Sequence, residues 1–409
     1  MKKLALLGGA PYREREFHCW PVSDNNEGIN ISKVLANKQW SRNGDFEVGF
    51  ATSFAKYQGG KYAVCVTSGM VALFCALKAL AVKKGDEVII PAFPQPPALS
   101  ICYLDAIPIF VDIEKSSLCV DPKKIKDSIT NKTKAIIVIH THNTMSNMEE
   151  IMDISREYNI PVIEDCAHAH GMKWNEKGAG YIADIGIFSF ESSKVMTSGE
   201  GGIVTTNNKK LYEKIVEIKN LGNNSSGVKQ DDIIGWNFRM SEFHAAVLTA
   251  QLDRFPDQLK IKYQNMRLLD ELLNSISGIS VIDHHPSISN HTGFLYSVNY
   301  NADKCNSIPL SVISKALQAE GVPNRLRDLS YNSKEVKRYI KGLKLNLSCP
   351  IAEDYTKNKL LTLPHHIFLG NQSDVYDVYE VFKKVITNHA ELKGYYYKNI
   401  VKTIKNKLI

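Results

Sequence analysis

The stretch PVIEDCAHAHG, residues 161–171, decides the fold that this chain of 409 residues predicts. Its apolar start is typical of a buried strand, and Glu164 and Asp165 stand where that strand ends. In an open α/β sheet, ligands bind beyond the carboxyl ends of the strands. A carboxylate buried there needs a cationic or hydrogen-bonding partner, although an Asp that caps the next turn would explain the same residue.

Short β-branched runs alternate with amphipathic segments between residues 60 and 210, as in a parallel sheet covered by helices. The predicted strands are 62–66, 87–91, 108–113, 135–140, 161–165, 184–190 and 202–206. A helix is predicted from 241 to 252, and near residue 265 a long helical pattern leads into a second region. We therefore predict a large α/β domain with an N-terminal arm over 1–265 and a smaller α+β domain over 266–409.

Composition excludes several classes of protein. The chain is 44% hydrophobic and 23% charged, without repeats or low complexity, which excludes disordered, collagen-like and solenoid proteins. The net charge of +7 comes largely from the basic, amphipathic tail 391–409, so no nucleic-acid partner is expected. No apolar run reaches the roughly 18 residues of a membrane span. The tail predicts a helix that packs on its own subunit or is solvated, with a membrane-surface or partner helix as the alternative.

The eight cysteines form no C-x-x-C pair and mostly lie in apolar runs, which predicts a reduced, cytoplasmic protein. The first ten residues imitate a signal peptide, but their apolar part is short and a charged segment follows. We therefore expect no secretion.

Two more motifs follow predicted strands. The stretch FSFESSKVMTSGEGG, residues 188–202, holds Lys194 in a polar turn. A lysine in a desolvated turn is a nucleophilic amine, whereas an ordinary loop lysine is solvated. The junction TSGM, residues 67–70, offers backbone N–H groups to a phosphate, or is a plain helix cap. Phosphate cradle, carboxylate and lysine together are the set that pyridoxal 5'-phosphate requires.

The chain resembles the DegT/StrS-type sugar aminotransferases of the aspartate aminotransferase fold, fold type I, over about residues 4–385. The resemblance rests on residues 4–11, 62–69, 85–91, 164–171, 188–202, 235–240 and 349–353. Residues 193–202 and 363–366 are most similar to the branch with glutamine:scyllo-inosose aminotransferase and 3-amino-5-hydroxybenzoate synthase. The family implies a large pyridoxal-phosphate-binding domain with a mostly parallel central sheet, and a smaller C-terminal α+β domain.

The resemblance also implies roles for the residues at the strand ends. Lys194 matches the lysine that forms the Schiff base, and Asp165 matches the partner of the pyridine nitrogen. His168 matches the position near the phenolic oxygen of the cofactor, and Ser189 matches the serine that contacts its phosphate.

The same resemblance implies roles for four further residues. Gly69 and Met70 match the backbone cradle of the phosphate, although Met70 lacks the hydroxyl common in the family. Phe93 matches the aromatic residue that covers the cofactor ring, while core packing would explain it equally. Asn237 matches the residue that reaches the phosphate in the neighbouring subunit, which implies a homodimer with shared active sites.

The sequence departs from the family at two places. Gln95, Pro96 and Pro97 follow Phe93 where a helix usually begins, and proline delays or tilts that start. Asn143 stands where the family usually has Gly. Because Asn tolerates positive φ, we expect the turn to be kept.

Other chemistries have less support. A dehydrogenase would need a G-x-G-x-x-G motif, which is absent. A metal hydrolase would rest on the histidine pairs 140/142, 168/170, 284/285 and 365/366, but no motif sets a third ligand, and no metal is expected.

The sequence therefore predicts a pyridoxal-phosphate-dependent aminotransferase that uses a Schiff base on Lys194. It would transfer an amino group from L-glutamate or L-glutamine to the ketone of a keto-sugar, keto-sugar acid or cyclitol. An aromatising dehydratase of the same family and a cofactor-binding regulator without turnover stay open.

Overall fold

The computed structural model describes residues 3–94, 97–228, 233–343, 345 and 347–397. Its described helices are α1 Asn25–Asn37, α2 Asp45–Tyr57, α3 Gly69–Ala79, α4 Ala98–Cys102, α5 Pro122–Asp127, α6 Met148–Tyr158, α7 Lys209–Lys219, α8 Glu242–Leu273, α9 Leu310–Ala319, α10 Lys334–Lys341, α11 Pro350–Asp354 and α12 Gln372–Thr387. Its described strands are β1 Tyr62–Val66, β2 Glu87–Pro91, β3 Ile107–Val111, β4 Thr133–Ile139, β5 Val162–Asp165, β6 Lys173–Trp174, β7 Lys177–Gly178, β8 Ile185–Ser189, β9 Gly202–Thr206, β10 Ile279–Val281, β11 Ile288–Asn290, β12 Leu295–Tyr300, β13 Arg325–Leu326 and β14 Leu360–Pro364.

Seven strands form the central sheet, in the order β1-β9-β8-β5-β4-β2-β3. All pairs from β8 to β3 are parallel, and β9 runs antiparallel to both of its neighbours. Each of the seven predicted strands is present, with ends that differ by at most two residues. The predicted α/β fold with a mostly parallel central sheet is therefore confirmed.

Helices cover both faces of this sheet because its strands are apolar on both sides. On one face, Leu73 and Leu77 of α3 pack against the sheet without solvent exposure. On the other face, Ile151 of α6 and Phe255 of α8 do the same. Burying one such side chain stabilises the fold by about 1.5–3 kcal/mol.

A smaller sheet, in the order β10-β12-β14-β13, packs with α9 and α12 around a third core. Helix α8 runs without a break from the large sheet into this core, where its Met266, Leu269 and Leu273 are buried. The predicted helix from 241 to 252 thus continues to Leu273, because buried residues recur along its whole length. The domain boundary at 265/266 stays a prediction.

Described residues near both ends of the chain are buried in the third core. Leu4 near the start and Leu392 in the predicted tail are both fully buried there. Residues 398–409, which include most of the tail, lie outside the described residues, as do Gln95 and Pro96. Helix α4 begins at Ala98, directly after Pro97. None of the described helices is long and apolar enough to cross a membrane.

Candidate active site

The three predicted motifs meet at one edge of the central sheet. Strands β5 and β8 are parallel neighbours, so their carboxyl ends, at Asp165 and Ser189, lie side by side. Helix α3 begins at Gly69, and this residue packs directly against Ser189. A Cβ on Gly69 would lie only 2.6 Å from the Ser189 Cβ. Only glycine permits this close approach.

The start of α3 forms a cradle of donors. Ser68 caps the helix, with its Oγ accepting a hydrogen bond from the Val71 N–H at 3.2 Å. The N–H groups of Gly69 and Met70 lie in the first turn, where the helix offers them no carbonyl partner. The hydroxyl of Ser189 accepts from the Glu191 N–H at 3.4 Å and so keeps its own proton available. This donor set suits a phosphate group.

Asp165 is a buried carboxyl group at the end of β5, with 4% of its surface exposed. Its Oδ1 accepts a hydrogen bond from the Ala167 N–H at 3.0 Å. Burial raises the pKa of Asp165, while the Ala167 N–H and the charge of Lys194 act in the opposite direction. An N–H⁺ group beside this carboxyl would favour its ionised form and be held by a charge-assisted hydrogen bond.

Lys194 carries an amine suited to act as a nucleophile or base. Its Nζ lies 4.6 Å from the ring centroid of Phe294. Burial lowers the pKa of Lys194 to about 8, although the charges of Asp165 and Glu191 counteract this. An amine with this pKa is partly neutral near pH 7, as nucleophilic amine chemistry requires.

His168 lies in a stack of rings beside Lys194. Its ring is 4.4 Å from that of Phe294 and 5.8 Å from that of His142. Its Nδ1 accepts a hydrogen bond from the His142 backbone N–H at 3.3 Å. Burial and the charge of Lys194 keep the pKa of His168 well below its usual range. The ring is therefore neutral, and because Nδ1 is the acceptor, Nε2 carries the proton and is a donor.

Phe93 is fully buried, and its ring meets that of His142 edge-on at 5.5 Å. Its turn is held by Ser330, which donates its backbone N–H to Ala92 O and its Oγ–H to Pro94 O, both at 2.7 Å. The aromatic residue predicted from the resemblance thus forms part of the same ring cluster as His168.

The predicted turn around Asn143 is built differently from the expectation. Positive φ falls on His142, at 59°, and not on Asn143. The Asn143 side chain instead accepts a hydrogen bond from the Gly293 N–H at 3.1 Å through its Oδ1. The turn is therefore held by a side-chain contact to the loop before Phe294.

Asn237 is the one predicted site residue that the structure leaves on the surface. Its neighbour Trp236 is 60% exposed, and Ile234 is 85% exposed. The next residue, Phe238, accepts a hydrogen bond from the Thr67 N–H at 3.1 Å through its carbonyl, just before the phosphate cradle. Asn237 thus lies on a surface that borders the site.

In the part of the chain that the structure describes, no two histidines of the pairs considered for a metal belong to one group with metal-ligand geometry. Among the described residues, the group with metal-ligand geometry is His140, Glu164 and Cys166, all buried. The carboxylate of Glu164 accepts backbone N–H bonds from Gly180, Ile182 and Ala183 at 2.8–3.0 Å and pairs with His140 at 3.1 Å. These four contacts satisfy the buried carboxylate, so Glu164 has a structural role in the fold.

Sequence reasoning missed several residues near Lys194. The sequence predicts no site role for Phe294 or Arg327, and for His142 it predicts only a possible metal ligand. The positive charge of Arg327 lowers the pKa values of Lys194, His142 and His168. These residues carry no motif, because they reach the site from loops distant in sequence.

This fold and this set of side chains define a transferase of fold type I. Comparison with known proteins gives the family. Residues 22–383 match the DegT/DnrJ/EryC1/StrS aminotransferase family, and the chain belongs to it.

One curated relative is L-glutamine:2-deoxy-scyllo-inosose aminotransferase of Streptomyces lividus, 31% identical over 422 residues that cover 96% of this chain and 99% of the relative. Two similar crystal structures are 3-amino-5-hydroxybenzoic acid synthase, with 26% identity and a TM-score of 0.83, and an aminotransferase from Psychrobacter cryohalolentis, with 27% identity and a TM-score of 0.85. Each covers 92% of this chain and 100% of the other.

The predicted enzyme class is confirmed: the chain is an aminotransferase. The dehydratase alternative is not favoured, because the curated relatives are named as aminotransferases.

Proposed function

We propose that this enzyme uses pyridoxal 5'-phosphate to carry an amino group from L-glutamine to the ketone of a cyclitol. The meeting of Lys194, Asp165 and the cradle of Gly69 and Ser189 at one sheet edge carries this proposal. The names of the curated relatives, which specify glutamine and a scyllo-inosose, favour this donor and this acceptor over glutamate and a nucleotide-linked keto-sugar.

The residues present fit the cofactor. A phosphate suits the first turn of α3, where Gly69 and Met70 offer backbone N–H donors and Ser189 offers its hydroxyl. The buried carboxyl of Asp165 suits the ring nitrogen, which it would keep protonated. The Nε2–H of neutral His168 suits the phenolic oxygen.

Pyridoxal phosphate, when bound, supplies an electron sink for the pair of electrons left when a proton leaves the donor α-carbon. Lys194 takes that proton on its neutral Nζ, as a pKa of about 8 allows. In the second half-reaction the same amine returns a proton to the carbon of the former ketone. The buried rings of Phe93 and His142 keep water from this side of the site.

Purified protein loaded with pyridoxal phosphate tests the function directly. We expect glutamine to bleach the visible absorption band of the cofactor, and 2-deoxy-scyllo-inosose to restore it. Glutamate and a nucleotide-linked keto-sugar serve as alternative substrates in the same assay. Recovery only with the keto-sugar would reassign the acceptor, and no response to either donor would favour a regulator without turnover.

We propose further that the active enzyme is a homodimer in which Asn237 contacts the cofactor phosphate of the partner subunit. The surface around Asn237 supports this, because Ile234 and Trp236 expose large apolar areas that a second copy would cover. The described residues give the Asn237 side chain no hydrogen bond within its own chain.

A mixing experiment tests the shared site. Asn237→Ala is expected to weaken cofactor binding by about 10- to 100-fold, the value of a hydrogen bond to a charged group. Mixed with inactive Lys194→Ala subunits, it should regain activity, because one site of each mixed dimer combines an intact Lys194 with an intact Asn237.

The control for this experiment is a mixture of the double variant Lys194→Ala/Asn237→Ala with wild type, in which no mixed dimer has a complete site. If Asn237 acted on its own subunit, the first mixture would show no more activity than Asn237→Ala alone.

We also propose a cytoplasmic location. All eight cysteines are free, and all except Cys19 are partly or fully buried. This pattern suits a reducing compartment, where disulfides do not form.

A further inference from the structure

The two carbonyl groups just before Lys194 are held by side chains from outside its loop. The indole Nε1–H of Trp20 donates to Ser192 O at 2.8 Å. The imidazole Nε2 of His365 lies 3.2 Å from Ser193 O and, since a carbonyl only accepts, must donate its proton. Each residue leading into Lys194 is therefore anchored by an N–H donor.

These donors come from opposite ends of the chain and contact each other. Trp20 belongs to the segment before α1, and His365 directly follows β14 of the smaller sheet. Their rings meet edge to face, with centroids 4.4 Å apart. The loop of Lys194 is thus fastened to the N-terminal segment and to the smaller sheet at one point.

A buried lysine lies beside the Trp20 ring of this contact. Lys262 of α8 has no solvent exposure, and its Nζ lies 5.2 Å from the Trp20 ring centroid. Among the described residues, neither its Nζ nor the Nδ1 of His365 has a hydrogen-bond partner. Burial lowers the pKa of Lys262 to about 7, so its amine is charged only in part near neutral pH. The face of an indole is the best aromatic partner for that charge.

The state of His365 follows from the same surroundings. Burial and the nearby charge of Lys262 keep the pKa of His365 well below its usual range. The ring is therefore neutral, with its one proton on the Nε2 that faces Ser193 O. A neutral Nδ1 carries a lone pair, so it is an acceptor and does not form an anion site.

We propose that Trp20 and His365 are positioning residues for Lys194, and that Lys262 holds both rings in place. The role rests on the proposed function of Lys194, whose amine must reach the donor α-carbon from a fixed backbone. Docking of the N-terminal segment and of the smaller sheet then sets the position of the amine. Misplacing a reacting group by about 1 Å costs up to about 100-fold in rate.

Three variants separate positioning from packing. His365→Leu removes the N–H, and Trp20→Phe keeps a ring but removes the indole donor. His365→Gln keeps an N–H at the position of Nε2. We expect the first two to lower the single-turnover rate with glutamine by about 10- to 100-fold at unchanged KM, and His365→Gln to restore most of that rate.

Lys262→Met keeps an unbranched apolar side chain but removes the amine. It tests whether Lys262 holds the rings of Trp20 and His365 in place. We expect it to lower the same rate by about 3- to 10-fold, within the range that misplacement allows. An unchanged rate would overturn the role of Lys262.

A second measurement uses the cofactor-free protein. The rate at which Lys194 reacts with acetic anhydride rises with pH as the amine loses its proton, and mass spectrometry follows the modified peptide. Wild type should show a midpoint at about 8. In His365→Leu and Trp20→Phe, a looser and more solvated loop should move the midpoint upward, toward the ordinary value of 10.5.

His366→Gln and Trp40→Phe are the matched controls. His366 is the chain neighbour of His365, and Trp40 is 53% exposed and packs on Phe243. Both should keep the wild-type rate and midpoint.

Folded His365→Leu and Trp20→Phe proteins with the wild-type rate and midpoint would overturn the proposal. If His365→Leu does not fold, His365→Asn replaces it, because its shorter amide cannot reach Ser193 O. A wild type that fails to react with glutamine would refute the proposed function instead, while the acylation midpoints would still test positioning.

Discussion

Replacement of Lys194 by alanine is expected to abolish amino transfer while leaving the protein folded. In the proposed function the amine is both the nucleophile that holds the cofactor and the base that moves the proton, so its loss should lower the rate by at least about 10⁴-fold. Stability should change little. The native fold already disfavours the charged amine, as its pKa of about 8 indicates, so removing it relieves a desolvation cost.

The assay is single-turnover conversion of glutamine by the loaded protein, with thermal unfolding measured in parallel. Lys210→Ala, at the exposed start of α7, is the matched control and should keep full activity. Added methylamine should restore part of the lost rate in Lys194→Ala, because a small amine can enter the vacated space. Turnover by the variant at more than about one hundredth of the wild-type rate would contradict the assignment, because general acid–base catalysis alone contributes about 10²–10⁴-fold.

The central sheet could be predicted because its signals are local. Strands such as β4 and β8 are buried on both faces, so they carry continuous apolar, β-branched runs that stand out from their neighbours. Asp165 and Ser189 end such strands, and their proximity follows from the parallel pairing of β5 and β8. Lys194 could be predicted as well, because it lies in the same local motif, five residues after Ser189.

The remainder of the site depends on contacts between distant segments. Nothing around Phe294 indicates that its ring will cover the Lys194 amine, since the contact arises only when the smaller sheet packs on the large one. The turn at His142 shows the same limit. Asn143 was the better candidate for positive φ on intrinsic preference, but its side chain is used to hold Gly293.

Asp165→Asn is expected to lower the rate of the first half-reaction by about 10²- to 10³-fold, as for the loss of one preorganised electrostatic partner. The amide has the same shape, and its oxygen can still accept the Ala167 N–H. It cannot carry the negative charge that, in the proposed function, keeps a proton on the ring nitrogen of the cofactor. The charge of Asp165 also raises the pKa of Lys194, so in the variant that pKa should fall below about 8.

Two measurements and a control variant isolate the charge of Asp165 from its packing. Thermal unfolding should show no loss of stability, because burial disfavours the ionised carboxyl and the amide relieves that cost. The acylation midpoint of Lys194 should move to lower pH. Asp153→Asn, an exposed carboxyl on α6, should change neither the rate nor the midpoint. If Asp165→Asn kept the wild-type rate while Lys194→Ala was inactive, the amine would retain its role and the partner of the ring nitrogen would have to be another group.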